Sequence, residues 1–291
     1  MQLGIEARKR KNVGTAERRS PFRYPGGKAF LAQALEDRIR SIGDAIECYA
    51  EPYAGGAGAA IELLGRGVVK RIILNDFDRR IYCAWDAIIN HNDRFQQCIL
   101  DTPATIESWY RMRDVVLTDE AAHVDPFELG FATFFLNRTN RSGIVLGAGP
   151  IGGYKQMGKW RIDARYSRDS MLSRIQWIGE HRERIQIRNL DGIEFLRSFA
   201  EGEANDTFFF IDPPYVNAGS RLYLNAMNDM KHRDLAAFLI GNQTLSHWTV
   251  TYDDCELIRC AYSEANISSL TVNYSLQKKR LENEVCISPA E

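Results

Sequence analysis

Four consecutive residues, Asp212-Pro213-Pro214-Tyr215, place a carboxylic acid, two prolines and an aromatic ring directly after the apolar run at 208–211. The prolines restrict the backbone and carry no amide hydrogens, which leaves the Asp212 side chain and the Pro213 carbonyl as hydrogen-bond acceptors. Together these two groups can accept both hydrogens of an exocyclic amino group, while Tyr215 offers a flat face to a ring. Because a ring-conjugated amino nitrogen is a poor nucleophile, acceptors that stabilise the charge developing on it promote its attack. The tetrapeptide therefore indicates a site that activates the amino group of a planar base.

A second candidate site is the glycine-rich segment Glu51-Pro52-Tyr53-Ala54-Gly55-Gly56-Ala57-Gly58. A glycine turn between a strand and a helix lets the backbone approach a ligand closely. Asp76 follows about twenty positions later, where a carboxylate accepts hydrogen bonds from ribose hydroxyls. The turn alone is also compatible with NAD, but Glu51 repels a pyrophosphate and suits a cofactor with positive charges. Upstream, Phe22-Arg23-Tyr24-Pro25-Gly26-Gly27-Lys28 forms a compact turn whose lysine can pair with a carboxylate.

The spacing of apolar residues predicts the elements that must position these groups. Strands are predicted at 45–50, 68–74, 184–188, 207–211, 248–251 and 285–288, and helices at 28–42, 57–64, 79–90, 192–200, 232–240 and 255–261. This alternation is typical of a doubly wound α/β sheet, which binds ligands at the carboxyl ends of its strands. The segment 101–183 differs, because it is predicted to be helical at 106–116, 126–136 and 170–182, with a glycine-rich break at 143–158. We interpret it as an insertion into the sheet domain.

Positive charge is concentrated in two segments, although the formal net charge is only −1. Residues 1–28 contain eight Lys or Arg against two Glu, and residues 137–168 contain seven Lys or Arg against one Asp. Affinity for nucleic acid depends on a local basic face that displaces counterions and not on total charge. Two such segments beside the candidate sites favour a duplex-binding surface over an ordinary solvated charge run.

Other features exclude several classes of protein. No apolar run is long enough to span a membrane, and the N-terminal residues lack the apolar core of a signal peptide, so we expect a cytoplasmic protein. The six cysteines form no C-x-x-C pair and the five histidines lie far apart in sequence. This spacing predicts no metal site. Because disulfides are rare in the cytoplasm, we expect the cysteines to be reduced.

The order of the motifs resembles that of the Dam-type, alpha-group N(6)-adenine DNA methyltransferases. Residues 23–28 resemble the N-terminal motif of that family, residues 51–58 its E-P-F-x-G-x-G loop, Asn75-Asp76 its ribose-binding acid, and residues 212–215 its catalytic motif. The similarity covers nearly the whole chain. It implies a Rossmann-like S-adenosylmethionine-dependent methyltransferase sheet with an inserted, mainly helical DNA-recognition subdomain. The expected boundaries are a basic tail at 1–20, a catalytic domain at 21–100 and 184–291, and the recognition subdomain at 101–183.

The resemblance implies methyl transfer from S-adenosylmethionine to the amino nitrogen of an adenine flipped out of double-stranded DNA, without a metal. The implied catalytic residues are Asp212, Pro213, Pro214 and Tyr215. The implied cofactor contacts are Tyr24, Lys28, Glu51, Pro52, Gly55, Gly58, Asp76, Asp191 and Asp212. Candidate DNA contacts are Arg138, Arg141, Lys155, Lys159, Arg161 and Arg165. Because lysine and arginine bind phosphates more often than they read bases, none of these six is assigned to a base.

Several alternatives stay open at the level of sequence. Residues 134–143 only partly resemble the F-N-R-x-x-x-N-G segment of GATC-methylating members, since Ser142-Gly143 stands where Asn-Gly is usual. A GATC target is therefore not implied. The same chemistry would serve the N(4) amine of cytosine or an RNA base. A catalytically silent DNA-binding protein is disfavoured by the intact acid and both prolines. A restriction endonuclease partner is compatible with the sequence, and residues 283–288 are expected to form a structural final strand.

Overall fold

The chain forms one mixed sheet flanked by helices. The computed structural model describes residues 20–23, 28–43, 45–122, 124–216, 227–274 and 280–290. The strands in these ranges are β1 (Cys48–Glu51), β2 (Arg71–Asn75), β3 (Ile185–Arg188), β4 (Thr207–Ile211), β5 (Trp248–Asp253), β6 (Asn266–Tyr274) and β7 (Arg280–Ser288). Their order is β3-β2-β1-β4-β5-β7-β6. Strands β1 to β5 run parallel, whereas β7 pairs antiparallel with β5 and β6. The predicted doubly wound, Rossmann-like sheet is confirmed.

The helices of the described ranges connect these strands and cover both faces of the sheet. They are α1 (Ala32–Ile42), α2 (Gly58–Gly65), α3 (Arg79–Asn90), α4 (Asn92–Asp101), α5 (Ile106–Ala122), α6 (Pro126–Thr139), α7 (Arg168–Glu180), α8 (Gly192–Arg197), α9 (Glu201–Asn205), α10 (Asp229–Gly241) and α11 (Glu256–Ala261). Short 3-10 turns occupy Lys28–Leu31, Arg141–Gly143, Ile162–Arg165 and Arg182–Arg184. Within the described ranges, no helix combines the length and apolarity needed to cross a membrane.

Strand β4 lies at the centre of the sheet and is buried on both of its faces. Its sequence is Thr-Phe-Phe-Phe-Ile and all five residues are buried, as expected for a central parallel strand. Because successive side chains of a strand point to opposite faces, Phe208 and Phe210 join one hydrophobic cluster. Phe209 and Ile211 join a second cluster on the other face. The polar residues that follow β4 therefore begin where the apolar core ends.

The predicted insertion folds as helices but shares the core of the sheet. Helices α4 to α7 lie between α3 and β3 along the chain. Their buried side chains, including Phe95, Trp109, Phe134 and Ile175, belong to the same cluster as Phe208 of β4. Helix α6 approaches α3 closely at Gly130, where an added Cβ would lie 2.2 Å from the carbonyl oxygen of Cys83. The division of the chain at 101 and 183 stays a prediction.

The structure differs from the predicted elements mainly where local signals are weak. Strand β4 and helix α3 have the predicted bounds. Strand β6 was not predicted, because its sequence Asn-Ile-Ser-Ser-Leu-Thr-Val-Asn-Tyr is largely polar, as is common for the edge of a sheet. Helix α4 was also not predicted, and it is separated from α3 only by His91.

Candidate active site

The predicted site residues gather at the carboxyl edge of the parallel strands. A cavity of about 1330 Å³ opens there, at the point where β1 is flanked by β2 and β4. Among the described residues, the predicted catalytic and cofactor-binding residues that line this cavity are Lys28, Glu51, Gly55, Gly58, Asp76, Asp191, Asp212 and Pro214. Pro52, Pro213 and Tyr215 are not among the lining residues, and Tyr24 lies outside the described residues. The parallel sheet brings these residues together because it aligns the carboxyl ends of its strands.

The glycine turn between β1 and α2 contains two residues with a left-handed backbone. Gly55 and Ala57 adopt positive φ angles of 47° and 45°. The indole nitrogen of Trp85, in α3, donates a 2.8 Å hydrogen bond to the Gly55 carbonyl oxygen and so holds the turn in place. A Cβ on Gly58 would lie 3.1 Å from the Cβ of Ala29. Gly58 therefore allows the segment that carries Lys28 to pack against the start of α2.

The carboxylate of Asp76 follows β2 and holds the glycine turn in place. Its Oδ2 accepts a 2.9 Å hydrogen bond from the amide of Gly55, and its Oδ1 accepts one of 2.9 Å from the amide of Asp78. Burial, together with the nearby charge of Asp78, raises the pKa of Asp76 to about 7. Asp76 thus lines the cavity and also connects the loops after β1 and β2.

Asn75 is a buried residue whose role the sequence did not indicate. Its side-chain amide donates 2.9 Å hydrogen bonds to the carbonyl oxygens of Pro52 and Leu190. Its side-chain oxygen accepts a 2.9 Å hydrogen bond from the amide of Leu190. These bonds join the loops after β1 and β3 across the end of β2. The available signal was an asparagine at the last position of an otherwise apolar strand, where a polar side chain needs partners.

Glu51 is the last residue of β1 and is only 5% exposed. The hydroxyl of Tyr49 donates a 2.9 Å hydrogen bond to its Oε1. Burial, with a smaller contribution from the charge of Asp212, raises the pKa of Glu51 to about 8, although the bond from Tyr49 opposes the shift. A cation entering the cavity would favour the ionised form of this carboxyl group.

The Asp212 carboxylate lies in a network formed by three strands and the N-terminal turn. Its Oδ1 accepts a 2.6 Å hydrogen bond from the hydroxyl of Thr251 and lies 3.1 Å from the Lys28 ammonium. The same ammonium lies 3.8 Å from Oε2 of Glu284 and 4.8 Å from the centre of the Tyr215 ring. Lys28 was expected to pair with a cofactor carboxylate, whereas in the structure its ammonium lies beside the carboxylate of Asp212. Thr251 and Glu284 were not predicted as site residues, and Glu284 was assigned only a structural strand.

A family model for the D12 class N6 adenine-specific DNA methyltransferases matches residues 24–276. The chain belongs to this family. No curated protein matches it. The matched range includes the glycine turn, Asp76, helices α4 to α7 and the Asp212 motif. The predictions of a methyltransferase and of adenine in DNA as its target are therefore confirmed.

Asp191 of this methyltransferase lines the cavity and also caps a helix. Its Oδ1 accepts a 2.9 Å hydrogen bond from the amide of Ile193 at the start of α8. Its Oδ2 lies 4.0 Å from the ammonium of Lys231. The neighbouring Gly192 lies under Tyr53, since an added Cβ would be 2.3 Å from that ring. The described residues contain no group of three or more His, Cys, Asp or Glu that could hold a metal ion.

The six candidate DNA contacts of the methyltransferase fall into two groups. Five are exposed: Arg141, Lys155, Lys159, Arg161 and Arg165. Arg138 is buried, and its guanidinium donates hydrogen bonds of 3.2 Å to the Pro21 carbonyl oxygen and 2.5 Å to the Arg165 carbonyl oxygen. Burial and the nearby Arg23 lower its pKa to about 10. Two of its donors hold the backbone of other segments, which is a structural role, and the expectation that Arg138 contacts DNA stays a prediction.

The loop that carries the exposed basic residues has a defined conformation. The side chain of Gln156 donates hydrogen bonds of 2.9 Å and 2.7 Å to the carbonyl oxygens of Ile151 and Gly153, and it accepts one of 2.9 Å from the amide of Ile162. Beside it, Met157 and Trp160 are 83% and 64% exposed. Large apolar side chains exposed among lysines and arginines are typical of an interaction surface.

Proposed function

We propose that this adenine methyltransferase uses S-adenosylmethionine and acts on an adenine flipped out of double-stranded DNA. The observation that carries the proposal is the meeting of the glycine turn, Asp76 and Asp212 in one cavity at the switch point of the sheet. The cavity volume of about 1330 Å³ is larger than that of a pocket for a drug-sized ligand. It therefore offers room for a nucleoside cofactor and for a base beside it.

The chemistry of the cavity walls fits this cofactor. Bound S-adenosylmethionine supplies an electrophilic methyl group on a positively charged sulfonium. Glu51 is placed at the end of β1, where its carboxylate can pair with the cofactor ammonium. Asp76 can accept hydrogen bonds from ribose hydroxyls, and Phe77, 52% exposed at the cavity, can stack on an adenine ring. Asp191, Gly55, Gly58 and Pro52 complete the proposed cofactor loops, and Lys28 lines the same cavity beside Asp212.

The Asp212 motif supplies the groups that hold the target amine. The Asp212 carboxylate and the Pro213 carbonyl accept its two hydrogens, which stabilises positive charge on the nitrogen during attack. Tyr215 stacks against the base, and Pro214 fixes the backbone between them. The Lys28 ammonium lies 3.1 Å from Oδ1 of Asp212, on the carboxylate that accepts the hydrogen bond from the amine. No metal is needed for these steps.

We assign DNA binding to the exposed basic loop. The positive charges of its lysines and arginines complement the negative charges of the phosphate backbone. The exposed Met157 and Trp160 lie among them and offer apolar surface to bases. This loop belongs to the proposed recognition subdomain at 101–183, and we assign the catalytic domain to 21–100 and 184–291. The basic segment at 1–20 lies, apart from Ser20, outside the described residues. A cytoplasmic location and a restriction endonuclease partner stay predictions.

Methyl transfer to DNA tests the cofactor and the role of Asp212 together. The purified protein is incubated with S-adenosylmethionine labelled in its methyl group and with PCR-amplified genomic DNA, which is then digested to nucleosides. We expect label in N6-methyladenine with the wild type and none above background with Asp212→Ala, which removes the acceptor. The matched control is Asp206→Ala, the same change at the opposite end of β4. Equal activity of the Asp212 and Asp206 variants would contradict the role assigned to Asp212.

A further inference from the structure

Thr251 places a hydroxyl at a buried position of β5, where an apolar β-branched residue would fill the same space. Its neighbours on β5 alternate between the two faces of the sheet. Trp248, Val250 and Tyr252 belong to the cluster that packs against α10. Thr249 and Thr251 face the other side, and Thr251 is fully buried. A buried hydroxyl is unfavourable unless it has a hydrogen-bond partner. The partner of this hydroxyl is the carboxylate of Asp212.

The pairing of β4 with β5 explains why this contact is rigid. Ile211 lies beside Val250 in the parallel register, so the next residue of each strand, Asp212 and Thr251, follows at the same edge. The distance from the Thr251 hydroxyl to Oδ1 of Asp212 is 2.6 Å. This length lies at the short end of the range for O–H···O hydrogen bonds. A β-branched side chain has few rotamers, so the hydroxyl has a fixed direction.

Both described polar contacts of the Asp212 carboxylate fall on one oxygen. The Thr251 hydroxyl and the Lys28 ammonium each contact Oδ1. We propose that Thr251 is a positioning residue, which holds Oδ1 so that Oδ2 of Asp212 is directed to the amino group of the target adenine. The proposal rests on the role of Asp212 as acceptor of that amine. It assigns distinct tasks to the two carboxylate oxygens.

The assignment predicts which kinetic parameter depends on Thr251. Thr251 is not among the described residues that line the cavity. Its removal therefore leaves the proposed contacts of Glu51, Asp76 and Asp191 with the cofactor in place, and the KM for S-adenosylmethionine should stay within about threefold of the wild-type value. A freely rotating Asp212 is misplaced at the moment of attack, and such misplacement lowers kcat by about 10- to 100-fold.

Two pairs of side chains that differ by one hydroxyl test the proposal. Thr251→Val replaces the hydroxyl with a methyl group, whereas Thr251→Ser and Thr251→Ala differ from each other only in the oxygen. Kinetics are measured with labelled S-adenosylmethionine and PCR-amplified genomic DNA, and folding is checked by thermal unfolding. We expect kcat to fall about 10- to 100-fold in the Val and Ala variants. The Ser variant should retain most of the wild-type kcat. Thr249→Val, the same change two residues away on β5, is the matched control and should be unaffected.

Several outcomes would overturn the proposal. Thr251→Val with the wild-type kcat would show that the hydroxyl is dispensable. Equal loss of kcat in the Ser and Ala variants, or in Thr249→Val, would indicate a packing role for the strand. A change confined to KM would place the effect in binding. A wild-type protein that labels no adenine would contradict the proposed function and, with it, this inference, whereas the other outcomes concern Thr251 alone.

Discussion

The raised pKa of Glu51 predicts a pH-dependent affinity for the proposed cofactor. Burial raises this pKa to about 8 from an ordinary value of 4.5. If the cofactor ammonium binds the ionised carboxylate, the apparent affinity follows the ionised fraction. That fraction rises from about 1% at pH 6 to about 24% at pH 7.5, so affinity should increase roughly 20-fold over this range. The sign is fixed by the raised pKa, since the competing proton dissociates as pH increases.

Calorimetry of S-adenosylmethionine binding at pH 6.0, 6.5, 7.0 and 7.5 measures this dependence directly. Glu51→Gln keeps the shape of the side chain and removes its titration. Asp76, whose pKa is raised to about 7, titrates in both proteins. The ratio of the wild-type affinity to the Glu51→Gln affinity therefore isolates Glu51, and we expect that ratio to increase roughly 20-fold between pH 6 and 7.5.

The matched control is Glu47→Gln, which changes a carboxyl group at the opposite end of β1, where Glu47 pairs with Lys70. This variant should follow the wild-type pH dependence. The reasoning would be refuted by a ratio that does not change with pH. It would also be refuted by an equal effect of the two substitutions, because the cavity carboxyl and the distant one would then be equivalent.

Three further predictions concern single side chains. Asn75→Ala leaves carbonyl and amide groups of two loops without partners, so calorimetric unfolding should show a loss of about 1–3 kcal/mol together with weaker binding of S-adenosylmethionine. Phe77→Ala should raise the KM for the cofactor with kcat unchanged in steady-state kinetics, since stacking contributes equally to the ground and transition states. Lys159→Ala should lower the slope of log affinity against log salt concentration by about 0.9 in duplex-binding titrations, whereas Arg138→Ala should destabilise the fold and leave that slope unchanged.

The features predicted correctly are those that a short stretch of sequence determines. Strand β4 is a run of five buried residues that ends at a charged residue followed by prolines. Helix α3 begins where Asp78 caps it, since the Asp78 side chain accepts a hydrogen bond from the Arg80 amide. Because parallel strands align their carboxyl ends, knowing the strand ends was enough to predict that Asp76 and Asp212 lie at one cavity.

The features that sequence could not predict depend on contacts between distant segments. Arg138 lies in a basic run, and only the approach of Pro21 and Arg165 makes it a buried structural residue. Thr251 is an ordinary residue type for a strand. Its proposed function follows from the pairing of β5 with β4, which ends 40 positions earlier. Glu284 reaches Lys28 because β7 runs antiparallel beside β5, an arrangement that no local pattern specifies.

The electrostatics of the cavity give a physical reason to prefer a cationic cofactor over NAD. Glu51 and Asp76 both lie at strand ends where burial raises their pKa values, to about 8 and about 7. A raised pKa means that each ionised carboxylate is unfavourable in the protein alone. A ligand with positive charge would offset this cost, whereas the pyrophosphate of a dinucleotide would increase it. The glycine turn is common to both kinds of ligand, so the acid that ends β1, more than the glycines, distinguishes them.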